Sequence, residues 1–121
     1  MPFEKPLRRL EDILSHIARI EQFTAGMDFE AFLANEQAVY ASLHALLIVS
    51  EAARRLGAEA AVLVPGQPWA DIRALGNVLR HEYDGIDPGI VWRIIASGDL
   101  ASLKEATGEA VERLRSTHTP G

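Results

Sequence analysis

The fold is decided by the stretch Glu36-Gln-Ala-Val-Tyr-Ala-Ser-Leu-His-Ala-Leu-Leu-Ile-Val-Ser-Glu-Ala-Ala-Arg-Arg-Leu56. Its apolar residues cover a wide arc of a helical wheel, which is typical of a helix buried on more than one side. Gly57 follows two arginines and indicates where this helix ends. We therefore expect a central helix over residues 36–56, with the rest of the chain packed around it.

Four further helices are predicted on either side of this segment, from apolar spacing and from proline and glycine breaks. They cover residues 6–23, 69–83, 89–96 and 100–115, with a short helical turn over residues 29–33. Residues 58–64 fit either a helical turn or a short extended piece, and residues 116–121 are expected to fray. The prediction is an all-α, up-down bundle of about five helices, forming a single domain over residues 1–121.

The composition excludes several classes of protein. The chain has 121 residues and no cysteine, so disulfides and thiolate metal sites are absent. No apolar run approaches the ~20 residues that cross a bilayer, and no secretory signal opens the sequence, so we expect a cytoplasmic protein without membrane contact. The net charge of −5 argues against a protein that coats nucleic acid through its overall field, although a local basic site remains open.

The helix over residues 69–83 has two chemically different sides. Its apolar stripe consists of Ile72, Leu75 and Leu79. The opposite face carries groups able to bind phosphate or transfer protons, namely Arg73, Asn77, Arg80 and His81. Such a face also fits a helix that only contacts water, so this pattern alone does not establish a site.

Gly76 is unexpected in the middle of this helix, because glycine there costs about 1 kcal/mol relative to alanine. It lies one turn before Arg80 on the same side of the helix. We expect another helix or a ligand to approach closely at this position, or the Arg80 side chain to fold back over it. A tolerated surface glycine is the plainer alternative.

Several stretches of the chain carry a family resemblance. They are Pro68-Trp69-Ala-Asp-Ile72, Asn77-Val-Leu79-Arg-His81-Glu-Tyr83-Asp-Gly-Ile86-Asp87, Val91-Trp92, Leu10-Glu-Asp-Ile-Leu14, Thr24-Ala-Gly26-Met-Asp-Phe29, Ser50-Glu51-Ala-Ala53 and Asp99-Leu100-Ala-Ser-Leu103. Together they resemble the HepT-like family of small toxins in the HEPN superfamily of helical ribonucleases. The resemblance covers nearly the whole chain.

The resemblance implies a homodimer that cleaves RNA without a metal or other cofactor. The family motif is an arginine, four to six residues, a histidine, any residue and a tyrosine. The histidine and tyrosine correspond to His81 and Tyr83, and the asparagine that often follows the arginine corresponds to Asn77. The arginine position itself corresponds to Gly76, which departs from the motif.

Two arginines are candidates to replace the motif arginine. Arg73 has the right face but lies eight positions before His81, outside the family spacing. Arg80 precedes His81 directly, and its long side chain can fold back into the space that Gly76 leaves empty. We favour Arg80.

The chemistry of these residue types fits RNA cleavage. Histidine near neutral pH can deprotonate a ribose 2′-OH, whose attack leaves a 2′,3′-cyclic phosphate. Arginine stabilises the charge that develops on phosphorus oxygens. The resemblance also implies a partner, an MntA-like minimal nucleotidyltransferase antitoxin that adds AMP to Tyr83 and so blocks the cleft.

Weaker candidates complete the sequence prediction. Glu51 is a polar residue in an apolar segment that can support the site, or it is simply an exposed glutamate. His44 is expected at the edge of the core, and Trp69 and Trp92 are expected as core or loop anchors. Three hypotheses remain open: an active toxin, a catalytically degenerate partner or AMP acceptor of a nucleotidyltransferase, and a purely structural helical dimer.

Overall fold

A computed structural model describes residues 4–82 and 84–118 of the chain. In these residues the protein is all-α and contains no strand, which confirms the predicted fold class. The described helices are α1 (Glu4–Thr24), α2 (Phe29–Ala34), α3 (Glu36–Leu56), α4 (Glu59–Leu63), α5 (Trp69–His81), α6 (Pro88–Ala96) and α7 (Asp99–His118). None of them is long and apolar enough to cross a bilayer.

Helix α3 has the bounds and the central place that its sequence predicts. It packs against α1, α2, α4, α5 and α6, and its buried residues lie on more than one side. The Asn35 side chain accepts a hydrogen bond from the Ala38 N–H at the start of the helix. At the other end, Gly57 has a φ of 57° and its N–H bonds to Ala53 and Arg54 carbonyls.

The helices other than α3 begin or end one or more residues away from the prediction, and three segments need comment. Residues 58–64, which fit either a helical turn or an extended piece, contain the short helix α4, and this helix buries Ala60. Helix α5 ends at His81, earlier than predicted, because Glu82 leaves helical geometry before the Asp84-Gly85 turn; Tyr83 lies outside the described residues. The expectation that residues 116–118 fray is wrong, because α7 continues to His118, and the Thr117 hydroxyl donates to the Arg113 carbonyl within that last turn. Residues 119–121 lie outside the described part of the chain.

Two apolar clusters make up the core. One joins α1, α3 and α7 and includes Trp69, which is 4% exposed and donates its indole N–H to the Val64 carbonyl at 2.8 Å. The other joins α2, α3 and α6 and includes Leu79, which is fully buried. Helix α5 therefore contributes one residue from near each end to a different cluster, and this fixes how it lies against α3.

Candidate functional site

The polar side of α5 is exposed, as the helical wheel predicts. Asn77, Arg80 and His81 are all exposed, whereas Leu79 is buried and Leu75 is half-buried. Burying the apolar stripe orients the helix, so the polar residues must face away from the core. Four of the predicted site residues lie on this helix, and the fourth, Arg73, is half-buried two turns before Arg80.

Gly76 lies at the contact between α5 and α3. The residue is buried, and a Cβ atom built on it would be only 2.8 Å from the Cβ atom of Ser50. The expected close approach of a second helix is therefore confirmed at this position. Any side chain at residue 76, arginine included, would have to displace Ser50 or move the two helices apart.

The Arg80 side chain folds back over this glycine. Its Nη1 atom is 3.4 Å from the Cβ position built on Gly76, so the guanidinium lies next to this glycine. Its Nη2 atom donates to Asn77 Oδ1 at 2.7 Å. On the α3 side, Nη1 lies 3.6 Å from Glu51 Oε1. The guanidinium is thus held between a neutral acceptor and a carboxylate.

Three guanidinium groups contact the Glu51 carboxylate. Arg54 Nη2 lies 2.5 Å from Glu51 Oε2, and Arg55 Nε donates to the same oxygen at 3.2 Å, beside the Arg80 contact. The hydrogen bond from Arg54 is the main cause that lowers the pKa of Glu51; burial opposes it, and the charges of Arg54 and Arg55 add to it. Within the described residues these partners of Glu51 do not include Arg73.

Sequence reasoning missed the part played by Arg54 and Arg55. The sequence prediction treats them only as cations at the C-terminal end of α3. A signal is present, because they lie three and four positions after Glu51, the spacing at which helical side chains meet. That Arg80 joins the same carboxylate from another helix depends on the packing of α5 on α3.

The weaker candidates have different outcomes. The prediction of a packed His44 is wrong, because this residue of α3 is exposed. Trp69 is a core anchor as expected, and half-buried Trp92 packs on Phe32 with ring centroids 5.2 Å apart. Across residues 4–82 and 84–118, no group of three or more His, Asp or Glu side chains is arranged to hold a metal ion.

Comparison with known proteins identifies the family. A family model described as "Ribonuclease HepT-like" matches residues 13–110, a span that runs from α1 into α7 and includes every candidate residue named above. The chain belongs to the HepT-like ribonuclease family. The resemblance seen in the sequence is therefore confirmed at the level of the family.

Relatives of similar length support this assignment. The HepT-like chain is 35% identical over 95 residues to "Probable ribonuclease HepT" of Thermococcus cleftensis, an alignment that covers 78% of this chain and 86% of that protein. It is 33% identical over 96 residues to "Putative RNase MJ1380" of Methanocaldococcus jannaschii, which covers 79% and 87%. No solved structure is significantly similar to this HepT-like chain.

Proposed function

We propose that this HepT-like protein is the toxin of a toxin–antitoxin pair, an endoribonuclease that cleaves RNA by 2′-OH attack without a metal ion. The observation that carries the proposal is the placement of the Arg80 guanidinium beside Gly76. A cation is thereby available next to the position where the family has its arginine, one residue from the motif histidine.

In the proposed reaction, His81 accepts the proton of a ribose 2′-OH, and the 2′ oxygen attacks the adjacent phosphorus. The bond to the 5′ oxygen breaks, that oxygen takes a proton from water or from the protonated histidine, and a 2′,3′-cyclic phosphate remains. Arg80 stabilises the negative charge that builds up on the phosphorus oxygens. Asn77 positions Arg80, because its amide oxygen accepts a hydrogen bond from the guanidinium.

Glu51 and Gly76 support the site in this scheme. The Glu51 carboxylate restrains Arg80 from the α3 side, and Gly76 leaves room for the guanidinium. A phosphate that binds at Arg80 must compete with Glu51 for the same cation. Arg73 is the alternative cation, two turns further from His81 on the same helix.

The proposal includes two partners, which the resemblance in the sequence implies. A homodimer would place two such sites at one cleft in a cytoplasmic protein. A nucleotidyltransferase antitoxin of the MntA type would transfer AMP to Tyr83, two positions after His81. The added phosphate would bring negative charge and bulk next to the proposed base and so prevent RNA binding.

RNA cleavage by the purified, unmodified protein in EDTA tests the ribonuclease proposal. We expect products with cyclic-phosphate ends that persist in the chelator and disappear when His81→Ala is assayed in parallel. Mass spectrometry of the same preparation confirms that Tyr83 is unmodified. Absence of cleavage by a folded, unmodified protein would contradict the proposal.

A matched pair of variants separates the two candidate arginines. Arg80→Ala is expected to lower kcat about a hundredfold or more, as removal of a group that stabilises transition-state charge does. Arg73→Ala, which removes the same charge from the same helix, is expected to leave kcat within about threefold. The reverse result would transfer the role to Arg73.

A second candidate function is a catalytically degenerate protein that serves as binding partner or AMP acceptor of a nucleotidyltransferase. Two observations favour it. Residue 76 is a glycine instead of an arginine, and the Arg80 guanidinium already contacts Glu51 and Asn77 and so is less free to bind a phosphate. Incubation with the cognate nucleotidyltransferase and ATP distinguishes the two functions. Transfer of AMP to Tyr83 with no RNA cleavage beforehand would favour the degenerate partner.

A further inference from the structure

Basic side chains form one connected surface that extends from Arg80 to the start of α1. Arg54 and Arg55 contact the same Glu51 carboxylate as Arg80. Arg55 also lines a surface cavity of about 300 Å³ between α1 and the end of α3, together with Lys5, Pro6, Arg9, Leu56 and Glu59. We call Lys5, Arg9, Arg54, Arg55 and Arg80 the basic band.

The basic band has a charge opposite to that of the rest of the molecule. It contains five of the twelve basic residues, and among the described side chains three acidic ones contact it or line its cavity, namely Asp12, Glu51 and Glu59. The remainder of the chain therefore has seven basic and fourteen acidic residues. A polyanion approaching this protein is repelled over most of the surface and attracted at the band.

Helix stability does not explain the α1 part of the band. Arg54 and Arg55 lie in the last turn of α3, where cations are favourable. Lys5 lies in the first turn of α1, where a cation is unfavourable, and Arg9 lies beyond that turn, where the helix dipole does not favour it. Among the described residues, the ion pair of Arg9 is a long contact with Asp12, at 3.8 Å, and its side chain is 30% exposed. Both side chains are therefore available to an anionic ligand.

We infer that the basic band is a phosphate-binding track for single-stranded RNA, which leads the strand from the cavity at α1 to the cleaved phosphate at Arg80. This inference rests on the proposed ribonuclease function. The cavity has room for a phosphate with part of its ribose. Glu59 at its edge can accept a hydrogen bond from a 2′-OH, a group that RNA has and DNA lacks.

Salt-dependent RNA binding tests the track directly. The full-length protein carries His81→Ala so that RNA stays intact, and a labelled single-stranded RNA of about 20 nucleotides is titrated by fluorescence anisotropy at several salt concentrations. We compare two double variants. The band variant carries Lys5→Gln and Arg9→Gln, and the control variant carries Arg19→Gln and Arg93→Gln. The control pair is exposed, lies outside the band and removes the same charge.

The band variant is expected to bind RNA about tenfold more weakly at low salt, and the control within about twofold. The slope of log K against log salt should fall by roughly 0.7 for each RNA phosphate that the variant no longer neutralises. In the active protein the same change should raise KM with little effect on kcat, because these residues do not contact the reacting phosphate. Lys5→Gln alone, at an exposed position, should show about half of the change in slope.

Each other outcome decides between the two claims. Equal affinities and slopes for the band and control variants would overturn the track, whether or not RNA is cleaved. A reduced slope for the band variant, together with no RNA cleavage by the protein that keeps His81, would leave the track standing and reject the ribonuclease proposal. Competition by polyglutamate at the same concentration as RNA, dependent on Lys5 and Arg9, would assign the band to acidic protein partners and overturn the RNA assignment.

Discussion

The two ends of α5 differ in almost every physical respect. At the N-terminal end, Trp69 is buried and its indole N–H bonds to the Val64 carbonyl. At the C-terminal end, Arg80 and His81 are exposed, and the contacts of Arg80 are with polar side chains. Both ends are anchored in the core, by Trp69 and Leu79, but the candidate site residues Arg80 and His81 lie at the C-terminal end alone.

The comparison shows how a small helical protein can hold exposed side chains in a fixed position. Exposed side chains on a helix end hold their place only if the helix itself cannot rotate or slide. Burial of Trp69 and Leu79 in separate clusters prevents both movements, and the close contact of Gly76 with Ser50 sets the distance to α3. Changes at the two ends should therefore have separable effects on activity and on stability.

The largest expected effect is the loss of activity in His81→Ala. Removal of a general base lowers kcat by about 10² to 10⁴, whereas truncation of an exposed side chain changes the free energy of unfolding by less than about 0.5 kcal/mol. Cleavage assays and urea denaturation of the same preparation measure both quantities. A large loss of stability would show that His81 belongs to the packed part of the helix and would contradict the separate roles of the two ends.

Trp69→Ala should have the opposite profile. Loss of a buried tryptophan costs about 3–5 kcal/mol of unfolding free energy and leaves the Val64 carbonyl without its indole partner. Trp69→Phe keeps most of the volume and isolates the hydrogen bond, at about 1–2 kcal/mol. Urea denaturation measures both, and cleavage by the folded Phe variant should stay within about threefold of the native rate. A specific loss of activity in that variant would contradict the separation of the two ends.

Gly76→Ala tests the contact between α5 and α3. A new Cβ atom 2.8 Å from Ser50 Cβ costs about 1–3 kcal/mol in repacking, partly offset by about 1 kcal/mol of helix propensity. We therefore expect a net destabilisation of up to about 2 kcal/mol, with reduced cleavage because Arg80 is displaced. Combining it with Ser50→Gly, which removes the opposing Cβ, should recover part of the stability, whereas Ser50→Ala should not. Additive effects in both pairs would contradict direct contact.

The smallest effect concerns Glu51 and pH. The folded-state pKa of Glu51 is lowered, so its ion pairs stabilise the protein above the unfolded-state value near 4.5 and lose that contribution as pH falls through the folded-state value. Because the pairs are partly exposed, Glu51→Gln should cost less than about 1 kcal/mol at pH 7. The difference in melting temperature between the native protein and the variant should vanish under acid conditions. A difference that persists there would mean that packing, not charge, is responsible.

Much of the candidate site could be predicted from the sequence, because its residues share one helix. The spacing of Asn77, Arg80 and His81 places them on one face, and the mid-helix glycine indicates a close approach. The sequence could not show that the neighbour at Gly76 is Ser50 on α3, or that Arg80 bonds to Glu51, because those contacts join residues about 25 to 30 positions apart. The prediction for His44 is wrong for the same reason, since apolar neighbours along the chain do not show which face is covered.

The helices themselves are encoded locally, since helical periodicity and end signals act through contacts of a few residues. The all-α class, the bounds of α3 and the two-sided character of α5 all follow from these local signals. Which helices meet, where α5 ends and how far α7 continues depend instead on contacts between helices. The tertiary structure also decided that three arginines share the Glu51 carboxylate and that the basic band joins α1 to Arg80. Such arrangements depend on side chains packing between helices, a free-energy balance that no local pattern records.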